Sequence, residues 1–125
     1  MICKTTKGVK VSVKTNYQGI FDGDIHIFSY YVILENKSNH TIKLLRRHWI
    51  IKDLGDFDSQ VKGDGVIGKQ PIIYPGEIFT YESGAKLESV IGSMEGKYTF
   101  KRMDNGQLFD VEIPNFKLTA PQIFN

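Results

Sequence analysis

Apolar residues in this 125-residue chain recur at every second position, and no apolar stripe recurs at helical spacing. Val9, Val11 and Val13 alternate with Lys10, Ser12 and Lys14, which predicts a strand with one wet face. From His26 to Glu35 almost every residue is apolar or aromatic. Phe28, Tyr30, Val32 and Leu34 share one face, and Tyr31 and Ile33 share the other. A strand apolar on both faces is central in a sheet, covered by another segment, or part of an interface.

Further strands are expected at 42–53, 60–62, 78–86, 92–103 and 107–113, separated by turn residues. Asp22-Gly23-Asp24 marks a turn, and Asp104-Asn105-Gly106 marks a hairpin, because Asn and Gly tolerate positive φ. Pro114 interrupts the last strand, and Phe116 and Leu118 resume its apolar face. In the third strand Leu45, Arg47, Trp49 and Ile51 share one parity, and Trp49, the only tryptophan, is the expected core anchor. About seven strands with turns between them predict an all-β chain, an antiparallel β-sandwich of the immunoglobulin-like or fibronectin type III-like kind, with a barrel as the alternative. No linker divides residues 1–125, so a single domain is expected, with its core over about 9–121.

Charge and cysteine content narrow the function classes. A net charge of +2 argues against nucleic acid as a partner and against an anionic membrane. The longest apolar run, Tyr30 to Leu34, is far below the roughly 20 residues that span a bilayer. The first eight residues carry lysines with no apolar stretch behind them, so no signal peptide is read. Cys3, the single cysteine, permits no intrachain disulfide and fits a cytoplasmic location. The N-terminus around it is expected to be loose.

Four constellations bear on chemistry. Gly63-Asp64-Gly65-Val66-Ile67-Gly68 spells G-x-G-x-x-G, but Pro71 and Pro75 forbid the helix that a dinucleotide fold needs after it. The segment reads as a tight glycine turn, with anion binding through loop amides as the functional alternative, involving Gly63, Gly65, Gly68 and Arg47. Arg47 shares its parity with Trp49 and so must reach the rim or pair with an acid such as Glu77 or Glu82. Asp53, Asp56 and Asp58, or His26 beside His48 across paired strands, are the residues that could take a divalent metal, although neither set has ligand spacing. Arg46-Arg47-His48 and Lys97, Lys101 and Arg102 form two basic spots. No nucleophile elbow or placed cysteine is present, so the chain is expected not to be an enzyme and to need no cofactor.

Two apolar features are left over. Tyr31 and Ile33 face outward, and Ile72, Ile73 and Tyr74 lie in a proline-rich loop that either folds over them or leaves an interface.

The run from Gly63 to Pro71 followed by Pro75-Gly76-Glu77 resembles the signature of the ApaG family. Arg47-His48-Trp49, Tyr81-Glu82-Ser83-Gly84, the stretch from Gly92 to Tyr98 and Ile113-Pro114-Asn115-Phe116 agree with it, and the similarity runs from about Val9 to Pro121. His48 stands where the family commonly has an aromatic, and Glu82 where it commonly has Thr. The resemblance implies a fibronectin type III-like sandwich and a cytoplasmic bacterial protein associated with cobalt and magnesium resistance. It also implies kinship with domains that act as protein-binding modules in some eukaryotic F-box proteins and in a DNA polymerase δ-interacting protein. It supplies no catalytic residues. Three functions are compatible with these residues: a protein-interaction module, with another protein or a second copy of the chain; a small-anion or nucleotide binder at the glycine loop; and a direct divalent-metal binder.

Overall fold

A computed structural model describes residues 1–54 and 58–121. The chain is all-β: two antiparallel sheets pack face to face as a sandwich, and no helix is long and apolar enough to cross a membrane. The first sheet has the order β1-β2-β3-β7, built from β1 (Ile2–Thr6), β2 (Val9–Phe21), β3 (Ile25–Asn36) and β7 (Ile78–Leu87). The second has the order β5-β4-β8-β9, from β5 (Ser59–Asp64), β4 (Ile42–Asp53), β8 (Ile91–Arg102) and β9 (Leu108–Thr119). The two-residue β6 (Ile72–Ile73) pairs with β4 beyond the end of β5. The chain changes sheet after β3, after β6 and after β7, as the expected fibronectin type III-like sandwich requires, and the barrel alternative is excluded.

Nine strands stand among the described residues where about seven were expected. β6 is one addition, and β1 is the other. The N-terminus is not loose: β1 pairs with Val9 to Val13 of β2 and leans on β9, where Lys4 pairs with Glu112 and the Glu112 amide donates to the Thr6 hydroxyl. The contacts with β9 are long-range, whereas β1 and β2 form a hairpin through Lys7-Gly8, both at positive φ, a local turn signal that sequence reading passes over.

The alternating valines of β2 and Phe28, Tyr30, Val32 and Leu34 of β3 all point into the core, as their period-two spacing demands. Facing them from the second sheet are Leu44, Trp49, Met94, Tyr98, Phe100, Val111, Ile113, Phe116 and Leu118. Trp49 is the hub: its ring lies 5.2 Å from Tyr30, 5.9 Å from Phe116 and 6.2 Å from Tyr98. Pro114 sits where the β8–β9 register shifts, and the shift returns Phe116 to the inner face after Ile113.

One parity expectation fails. Leu44 is buried and Leu45 is not, although Trp49 and Ile51 face inward with Arg47. A β-bulge between Leu44 and Arg46 inserts an extra residue, so the inner face passes from Leu44 to Arg47. The hairpin at 104–106 forms as expected, but only Gly106 takes positive φ, at 74°.

Candidate binding surfaces

The glycine loop and the β4 bulge are one construction. After β5 the chain leaves the sheet at Gly65 and returns at Pro71, and the bulged Leu45 carbonyl fills the gap. It accepts from the Gly65 amide at 2.7 Å and from Gln70 Nε2 at 3.0 Å, while the Leu44 amide donates to the Pro71 carbonyl. Val66 and Lys69 exchange backbone hydrogen bonds at 2.8 and 2.9 Å around Ile67 and Gly68, which both have positive φ, at 45° and 76°. That is a tight type I′-like turn, and the buried Val66 plugs it into the core. The amides of Gly65, Val66 and Lys69 are thus engaged inside the protein, so they offer little to an anion.

Arg47 lies across this loop. Its Nη1 donates to the carbonyls of Asp64 at 3.0 Å and Gly65 at 2.9 Å. The pairing with an acid such as Glu77 or Glu82 does not occur, because carbonyls of the loop take the guanidinium first. A methyl group at Gly63 would come within 2.8 Å of Arg47 Nη1, so that glycine gives the guanidinium its seat.

Arg47 also faces three tyrosines. Tyr81 and Tyr98 hydrogen-bond through their hydroxyls, and Tyr30 lies nearby. Burial pushes all three phenols above the ordinary tyrosine range, and the Arg47 charge opposes this only in part. A raised acid pKa means that the folded state keeps protons which the unfolded chain releases. Stability is therefore full below pH 10 and falls as pH rises past it. Urea midpoints at pH 9, 10 and 11 should decline in that order, and more steeply in the wild type than in Tyr98→Phe.

Tyr31 and Ile33 lie on the outer face of the first sheet, half-buried to exposed. Tyr31 stands between Lys14 and Glu82, and Ile33 between Ser12 and Thr80. The loop 69–76 does not fold over them. It runs along the second sheet instead, where Ile73 enters the core and Ile72 and Tyr74 stay exposed. Buried Asn36 anchors it: Asn36 Nδ2 donates to the carbonyls of Ile73 and His40, and its backbone bonds Gly76 and Glu77.

The metal candidates separate. His26 on β3 and His48 on β4 belong to opposite sheets, so strand pairing does not join them. His26 bonds the Tyr17 hydroxyl and His48 bonds Gln60. The Asp53 carboxylate binds the amides of Glu88 and Ser89 and so closes the β7–β8 turn. Asp56 lies outside the described residues. Among the described residues no group of three or more His, Cys, Asp or Glu is placed to hold a metal ion.

Sequence order concealed one surface. Of the two basic spots, Arg46 and His48 meet Lys97 on the outer face of the second sheet, joined by Lys62 and Lys7. Arg102 leaves the group: its Nε and Nη2 bind Asp104 at 3.0 and 2.6 Å, and Nη2 also reaches His40. These cations come from separate strands, and only the register of β4 with β5 and β8 brings them together.

Comparison with known proteins locates the family. The model of the ApaG domain matches residues 21–102. The chain is 40% identical over 120 residues to a protein ApaG of Thiobacillus denitrificans, covering 94% of each chain. It is likewise 40% identical over 124 residues to that of Paramagnetospirillum magneticum, covering 97% of this chain and 95% of the relative. Among solved structures, a structural-genomics protein designated SoR45 superposes with a TM-score of 0.89 at 33% identity, over 98% of this chain and 94% of the other. A Bordetella pertussis protein superposes with a TM-score of 0.85 at 37% identity, over 92% of this chain and 95% of the other.

Proposed function

This chain belongs to the ApaG domain family, and on that premise we propose that it is a non-catalytic module that binds a protein partner along the free edge of its first sheet. The observation that supports this most is β7. It pairs with β3 through ten successive residues, Ile78 to Leu87, with no bulge, and among the described residues no strand pairs with its other side. Long regular edges are sites of strand addition unless they are covered or twisted away. The other side of the sandwich is treated differently, since β1 leans over β9 there. Ile78 is exposed on β7, and Ile33 and Tyr31 lie one strand inward on the outer face, so an added strand finds apolar contacts beside its backbone bonds. Glu82 and Lys86 on the same edge would select among partners by charge. A partner that transports or regulates divalent cations would connect such a module to cobalt and magnesium handling without any metal bound by this chain.

The test pairs the wild-type chain with an Ile33→Lys, Ile78→Lys variant. Each is used to recover a partner from bacterial lysate, and the mass of each is measured in solution. The wild type should retain a partner, or a second copy of itself, that the variant loses at unchanged melting temperature. A strict monomer with no recoverable partner would overturn the reading.

A further inference from the structure

The outer face of the second sheet lies away from the β7 edge and carries an open, shallow hollow lined largely by cations. Strand register sets its side chains in rows. In one row Arg46 of β4 lies between Asp64 of β5 and Thr99 of β8, and Thr99 faces Asp110 of β9. In the next row His48 lies between Lys62 and Lys97, and Lys97 faces Glu112. Paired strands lie about 4.8 Å apart, and same-face neighbours along a strand about 6.7 Å. Arg46, Lys62 and Lys97 therefore surround His48 at backbone separations of about 5 to 8 Å. Lys7, in the β1–β2 turn, reaches the same hollow, whose volume is about 830 Å³. Leu108 and Phe109 wall its far side.

Asp64 and Asp110 line the hollow and Glu112 borders it; Asp64 stands opposite Arg46 but forms no ion pair with it among the described residues. Asp110 is bound to Thr99 at 2.8 Å and to Lys97 at 3.2 Å, and the Thr99 hydrogen bond followed by Lys97 holds it below the usual carboxylate range. Glu112 is taken by Lys4. Arg46, Lys62 and Lys7 make no ion pair among the described residues. Neighbouring like charges across a sheet are destabilising, and an anion seated among them removes that cost. Register sets the Arg46 fork and the Lys62 ammonium beside His48, and Lys7 lines the same hollow. An extended acidic peptide presents same-side carboxylates about 7 Å apart along a line, which meets two of these cations at once. A compact anion carrying several charges meets them all.

We propose that this hollow binds a condensed phosphate, either free or as the oligophosphate end of a larger molecule whose organic part rests on Leu108 and Phe109. The site rests on neither β7 nor its neighbours, so it stands or falls separately from the partner reading.

Calorimetry with tripolyphosphate at low ionic strength tests it on the full chain. One site per chain is expected. Arg46→Gln and Lys62→Gln should each weaken it about tenfold, because each removes a charge-assisted contact, and the double variant should lose saturable heat. All three should keep the wild-type melting temperature, since both side chains are exposed. Gly68→Ala, which puts a methyl group at the tip of the glycine loop, should leave affinity unchanged. If ATP competes with tripolyphosphate and AMP does not, a nucleotide's oligophosphate is one source of the ligand; if ATP also fails, the site takes the free condensed phosphate. Three results would overturn the proposal: no saturable heat at low-millimolar tripolyphosphate, a loss caused by Gly68→Ala but not by the Arg46 and Lys62 changes, or an oligoglutamate peptide binding as tightly as tripolyphosphate.

Discussion

Trp49→Ala should lower the unfolding free energy by about 3 to 5 kcal/mol, read as a shift of the urea midpoint at constant slope. The indole is among the largest buried side chains, and it touches both sheets: Tyr30 from the first, Tyr98 and Phe116 from the second. Its removal opens a cavity at the sandwich centre that neither sheet can close without moving its strands. Trp49→Phe should cost much less, about 1 to 2 kcal/mol. The indole Nε1 finds no acceptor among the described residues, so phenylalanine gives up packing area but no hydrogen bond. A Trp49→Ala loss below about 1 kcal/mol would mean that the inter-sheet aromatic cluster is not the centre of the core.

The fold was legible wherever one strand's own alternation decides which face is buried. Val9, Val11 and Val13, and Phe28 through Leu34, declare their inner faces without help, and both are buried in the structure. Trp49 declares itself by size. The limits appear where a second strand decides. In β4 the doublets Leu44-Leu45 and Arg46-Arg47 fit either parity, and only the pairing with β8 and the docking of Gly65 and Gln70 onto the Leu45 carbonyl fix the bulge there. β1 is held by β9 from far along the chain, and its one local sign is the Lys7-Gly8 hairpin to β2. The cationic hollow is assembled from residues as distant in sequence as Lys7 and Lys97. A net charge of +2 gives no sign of it, because carboxylates elsewhere balance the sum. The glycine motif was legible as a family signature, while its physical purpose was not.

That purpose predicts an order of effects across the motif. Gly65→Ala should be the most damaging, at about 3 kcal/mol or more. Gly65 holds φ at +62°, where an L side chain is strained, and a methyl group there would lie 2.1 Å from the Lys69 carbonyl oxygen. Backbone must move to relieve that contact. The movement pulls on the Gly65–Leu45 and Val66–Lys69 hydrogen bonds and on buried Val66. Gly68→Ala has the strained φ of +76° but open space around the new methyl, so it should cost only about 1 kcal/mol. Gly63→Ala meets the end of the Arg47 side chain, which can swing aside. Its cost, also about 1 kcal/mol, is the weakened grip of Arg47 on the Asp64 and Gly65 carbonyls. Ile67, a β-branched residue at φ +45° that is exposed, should tolerate glycine with no loss of stability. Urea denaturation of the four variants checks the order. If Gly65→Ala proves no worse than Gly68→Ala, the loop is not locked by the Lys69 carbonyl, and its amides become free to serve a ligand after all.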